Sequence, residues 1–249
     1  MKKCLSGLLV LLMLFAIPVA SIADDLATTL DNLNDKKTRD NYKKSIDLCE
    51  EALKADPNNF EIMWRCARAY RWSGELAKRQ GLENFEDICT EVGKKGMLIA
   101  EKAMKMKPDL PHGYFWYGTC VGTYKDGVGI WGAIKEGLKD KTQTNFETAY
   151  KLDKMYEEAG PMLALGRFWN VLPPYVMRDN DKALEYFREY QKTEWFNKKD
   201  DGPVYLAECL VDEGGDEYEA EAKKLCEKVI KNSDNKWFKD WAKRILEDI

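Results

Sequence analysis

Five helix-compatible segments of this 249-residue chain carry small or apolar residues at the same i, i+4, i+7 spacing. They are Ser45/Cys49/Ala52, Gly96/Ala100/Ala103, Thr142/Phe146/Ala149, Ala183/Phe187/Tyr190 and Ala222/Cys226/Val229. The spacing sets three side chains on one stripe of a helix, each about a turn from the next. One stripe makes an amphipathic helix. Five in series predict a helical repeat array, an architecture that stacks neighbours on a continuous core and is used mostly for binding.

Each stripe has a partner segment before it, marked by a small residue three before an aromatic or apolar one: Ala67 with Tyr70, Gly118 with Val121, Gly166 with Trp169, and Ala207 with Leu210. Turn signals part the segments at Asp56-Pro57-Asn58, at Lys107 to Pro111, at Val171 to Pro174 and at Gly214-Gly215. Asn59 is suited to cap a helix and Pro111 to open one. No run of alternating β-branched residues is bounded by hairpin turns, so an all-α fold is expected. The last amphipathic segment, with Trp237, Phe238, Trp241, Ala242, Ile245 and Leu246, reads as a cap on the final repeat.

The amino terminus predicts export. Lys2 and Lys3 precede an apolar run from Leu5 to Ala16, and Ser21-Ile22-Ala23 offers the small residues that signal peptidase reads. The run is shorter than the roughly 20 residues of a membrane span. Cleavage near Ala23 would leave residues 24–249 as a single helical domain, periplasmic or secreted, without stable membrane insertion. The chain has 39 basic and 43 acidic side chains, and losing Lys2 and Lys3 makes it more acidic still. That balance argues against a nucleic-acid surface, which needs a basic stripe to displace counterions.

Six cysteines follow Ala23, and an even number in an exported chain favours disulfides. Cys49 and Cys66 lie at nearly equal distances either side of the Asp56 to Asn59 turn, and Cys209 and Cys226 flank Gly214-Gly215-Asp216 in the same way. An antiparallel hairpin would bring each pair level. The alternative is that all six are small buried hydrophobes.

Several segments resemble the tetratricopeptide (TPR) repeat: Leu165-Gly166-Arg167-Phe168-Trp169 followed by Ala183, Phe187 and Tyr190; Ala52 to Pro57; and Ala103 to Pro108. The resemblance implies a superhelix of about five helical hairpins with a carboxy-terminal capping helix. The repeats are longer than the roughly 34-residue consensus unit. Long insertions are expected at Leu76 to Val92 and Lys125 to Lys141. His112 to Gly118, Ala149 to Asp153 and Ala164 to Arg167 make the chain similar to the divergent periplasmic TatT-like proteins associated with TRAP transporters. Members of that group are typically lipid-anchored, whereas no cysteine stands at this cleavage site.

Catalytic and cofactor motifs are weak. Gly127-Val128-Gly129-Ile130-Trp131-Gly132 fits G-x-G-x-x-G, but no strand precedes it, so the glycines are expected to shape a loop. His112 is the sole histidine and has no second imidazole for a metal site or a catalytic relay. No cofactor and no metal is expected.

In a TPR superhelix the residue after the small contact residue, with its neighbours three or four away, lines the concave groove. Here that stripe is Trp64/Arg68/Arg71, then Phe115/Thr119, Leu163/Arg167/Asn170 and Val204/Glu208. Arginines among aromatics suit a carboxylate, which a guanidinium grips with two hydrogen bonds. The alternative is that they are solvated or paired with nearby acids. The expected function is non-enzymatic binding of a protein, peptide or small acidic ligand, with a transporter's solute-binding protein as one candidate partner. The competing readings are a carboxylate-dependent hydrolase and a structural subunit of an envelope assembly.

Overall fold

The structure, a computed structural model, describes the backbone of residues 19–249 and side chains from Asp25 onward. The apolar stretch read as a signal peptide lies outside the described residues, apart from the backbone of residues 19–23, which begins the first helix. Eleven α-helices and no strand are present among the described residues: α1 (Val19–Asp35), α2 (Arg39–Ala55), α3 (Phe60–Arg79), α4 (Phe85–Met106), α5 (Pro111–Lys135), α6 (Leu138–Leu152), α7 (Tyr156–Val171), α8 (Asn180–Gln191), α9 (Asp201–Glu213), α10 (Asp216–Asn232) and α11 (Lys236–Glu247). They pair as five antiparallel hairpins, α1/α2 through α9/α10, and α11 packs on α9 and α10.

The repeated stripes become the seams. Gly96, Ala100 and Ala103, then Thr142, Phe146 and Ala149, and their counterparts on α8 and α10 are buried, as are Ser45 and Cys49 on α2. Their partners Ala67, Gly118, Gly166 and Ala207 are buried on the facing helices. Small residues meet rings: a Cβ on Gly118 would lie 2.4 Å from the Phe146 ring, and one on Gly166 would lie 2.6 Å from Phe187. Glycine is therefore required by close approach at these positions. The turns hold as read. The Asn59 side chain accepts from the Ile62 amide at 3.2 Å, and Pro111 opens α5.

The long insertions expected at Leu76 to Val92 and Lys125 to Lys141 mostly lengthen α3, α4 and α5. Two expectations are corrected. The G-x-G-x-x-G segment lies within α5, where only Gly129 leaves helical geometry (φ 77°) and kinks it. A Cβ on Gly127 would lie 2.4 Å from the Glu86 carbonyl, so this glycine permits α4 and α5 to touch.

The expected disulfides are also absent. Cys49, Cys66, Cys209 and Cys226 are free, buried thiols, as are Cys89 and Cys120. The hairpin does bring Cys49 beside Cys66, and their hydrogen bond, with burial, raises the Cys66 thiol well above its usual value. Cys209 instead donates to the Asn180 carbonyl. The small-hydrophobe alternative is the one the packing uses.

The array curls until its ends meet. The Arg79 guanidinium at the end of α3 lies 4.8 Å from the centre of the Phe238 ring on α11. Lys37, Tyr42, Trp72 and Arg79 share a recess with Asn235 and Trp237.

Candidate functional site

Closure turns the concave face into a walled cavity of about 300 Å³. One wall comes from α3 and α5, the opposite one from α7 and the start of α9, with parts of α6 and α11 completing it. Phe115, Ile134, Leu163 and Phe168 supply apolar lining, while Trp72, Tyr205, Trp237 and Trp241 bring aromatic surface beside the charges.

The helix period of α3 carries Arg71, Glu75, Lys78 and Arg79 to one side. Glu75 accepts from Arg71 at 2.8 Å and from Arg79 at 2.6 Å. Burial pushes the Glu75 carboxyl up, but Arg71, Arg79 and Lys78 outweigh it and hold this group far below the usual carboxylate range. Lys78 and Lys125 pair with Asp126 at 2.9 and 2.6 Å.

On the opposite wall, Arg167 pairs with Glu208, reaches Asn170 Oδ1 at 3.1 Å, and lies over the Tyr205 and Trp241 rings at 4.8 and 5.1 Å. Burial raises the Tyr205 hydroxyl to about 12. The entry to α7 is strained: Glu157, Glu158 and Ala159 take positive φ values of 47°, 62° and 61° before Pro161. These are unusual for residues with a Cβ. Glu158 pairs with Lys199. Burial raises the Glu157 and Asp201 carboxyls and lowers the Lys199 ammonium.

Of the groove residues read from the sequence, Arg71, Phe115, Thr119 and Arg167 line this cavity, with Leu163 beside them. Trp64 and Arg68 do not. Asp31 on α1 takes Arg68 at 2.5 Å and Arg65 at 2.8 Å, and both guanidiniums lie over the Trp64 ring. Arg68 is therefore satisfied inside the first hairpins and does not join Arg167 in the cavity lining. Asn170 is buried between α7 and α9, where it donates to Asp212 at 2.7 Å. His112 packs against Phe60, Trp64 and Tyr156, and burial lowers its imidazole value.

Sequence reading missed Glu75 and Lys78, although extending the Trp64/Arg68/Arg71 stripe by one turn and then a second reaches them. It also missed Lys199, Asp201, Trp237 and Trp241, which closure of the superhelix brings in. Among the described residues, no group of three or more potential metal ligands occurs, and no helix is long and apolar enough to cross a membrane.

Comparison with solved structures supports the fold. A thermophilic TPR protein from Thermus thermophilus aligns over 91% of this chain and 98% of its own, at 16% identity and a TM-score of 0.60. A de novo designed helical repeat protein covers 92% of this chain and 91% of its own at 15% identity, with a TM-score of only 0.21. No curated protein matches the chain. The profile described as regulator of microtubule dynamics protein 1-3 matches residues 26–169, from α1 almost to the end of α7 and more than half of the sequence, and the chain therefore belongs to that family.

Proposed function

We propose that this protein is a non-enzymatic binding protein that holds an acidic ligand, or the acidic tip of a partner chain, in its closed concave cavity. The observation that carries this reading is the pair of fixed arginines, Arg71 and Arg167, on opposite walls of a cavity with an apolar lining. Arginine suits the role because it stays charged and can grip a carboxylate with a planar fork. The TPR-like fold, generally a scaffold for protein interaction, supports the same reading.

Native mass spectrometry of the protein isolated from its own host tests it. A retained carboxylate-bearing mass is expected, and Arg71→Ala with Arg167→Ala should remove it. A ligand retained equally by the double variant would overturn the proposal. In its narrower form the protein is exported and serves a transporter's solute-binding protein. Support for this comes from the Lys2/Lys3-led apolar segment and the likeness to TatT-like proteins. Cell fractionation showing the chain confined to the cytosol would end that form alone.

A further inference from the structure

The charges of the cavity are divided unequally between its walls. On the α3/α5 side four cations share two carboxylates: Arg71 and Arg79 (the latter not itself a lining residue) on Glu75, Lys78 and Lys125 on Asp126. That wall carries surplus positive charge. On the α7/α9 side the carboxyls of Glu157, Glu158, Asp201 and Glu208 meet two cations, Arg167 and Lys199, which pair with Glu208 and Glu158. Among the described residues, no cation comes within ion-pair distance of Glu157 or Asp201. Arg68, the strongest positive influence on Glu157, is already held by Asp31.

A second observation falls at the same place. Tyr190 lines the cavity and is 1% exposed, yet its buried hydroxyl has no hydrogen-bond partner. Its ring covers Gly202, where a Cβ would lie 2.4 Å from Cε1, so Tyr190 packs next to Asp201. A buried hydroxyl left unpaired carries a desolvation penalty that a ligand group can relieve. The two sets of charges act on one cavity: Tyr205 on α9 feels Glu75 and Arg79 of the α3 side as well as Asp201 and Arg167 of its own. Phe115 and Ile134 on α5 and Leu163 and Phe168 on α7 line the same cavity.

Resting on the binding reading above, we infer that the ligand is a short apolar peptide with free termini. Its carboxylate lies on the Arg71, Lys78 and Lys125 wall, its ammonium between Asp201, Glu157 and the Tyr190 hydroxyl, and its side chains on the apolar lining. Two opposed charge sites call for a ligand whose own charges are spaced apart. An extended dipeptide spans about 7 Å. The cavity falls at the small end of the range for small-molecule pockets.

Isothermal titration with dileucine, N-acetyl-dileucine, dileucine amide and leucine separates the contributions. Dileucine should bind, and each blocked form should bind at least about 10-fold more weakly, the loss of one charge-assisted contact. Leucine should also be weaker. Asp201→Asn and Glu157→Gln should each weaken dileucine about 10-fold while leaving N-acetyl-dileucine unchanged, with folding checked by thermal melts. N-acetyl-dileucine binding as well as dileucine would overturn the inference yet leave the acidic-ligand reading standing. Dileucine amide binding as well as dileucine would overturn both. Equal affinity for leucine would overturn the opposed-wall placement, and no binding by any of the four would overturn the inference as a whole.

Discussion

The α3/α5 and α7/α9 walls use the same kinds of side chain and reach opposite electrostatic outcomes. Glu75 sits between two guanidiniums and is held ionised, whereas Asp201, equally recessed, has no ion-pair partner and is held toward its neutral form. Burial raises both carboxyls; what separates them is the number of cations within reach. The carboxylates of the first wall are paired with cations, whereas on the second Asp201 has the Gly202 amide in place of a cation, and the nearby Tyr190 hydroxyl has no partner.

The sharpest way to break this contrast is Glu75→Ala. It strands Arg71 and Arg79 together in a recessed site and should cost about 3–5 kcal/mol, the usual penalty for removing one partner of a buried pair. Urea unfolding measures it, and a loss below about 1 kcal/mol would mean the cluster behaves like a solvated surface pair. Arg167→Ala should cost less, about 1–2 kcal/mol, since Arg167 gives up one partly exposed ion pair and two aromatic faces. Asp201→Asn should change stability by less than about 1 kcal/mol near neutral pH, and toward greater stability, because it removes an uncompensated charge.

Acid titration sharpens the comparison further. Glu75 has a depressed folded value, so its stabilisation is present above the ordinary 4.5 and is lost only as pH falls through that lowered value. Asp201 has a raised folded value, so its stabilisation is complete below the ordinary 3.8 and is lost as pH rises through the folded one. Replacing Asp201 should flatten stability above about pH 4, and replacing Glu75 should flatten it below about pH 4.5, both read from melts across pH.

The seams of the fold were legible because they are local. Gly118 against Phe146 and Gly166 against Phe187 follow from spacings of three and four residues within single helices, read against the next helix along the chain. Arg71, Phe115, Thr119 and Arg167 were legible by the same rule. Arg68 and Asn170 obey that rule too, but Asp31 and Asp212 claim them, and no periodic pattern reveals which acid will lie nearby. The glycine-rich segment was misread as a loop because Gly127, Gly129 and Gly132 read as loop formers, while α5 uses Gly127 for close packing. The cysteines met as expected at Cys49 and Cys66, yet adjacency did not make a bond. Lys199 and Trp237 lay beyond any local pattern, since they reach the cavity only through accumulated curvature.

The meeting of α3 with α11 changes what kind of object the array is. Open solenoids are quasi-one-dimensional: units can be added or removed, and each end frays independently of the other. Here Arg79 and Phe238, from the second hairpin and the final helix, close a loop that only one register allows. The number of rungs is thereby fixed. Inserting or deleting a hairpin would part the two ends and open the chamber to solvent.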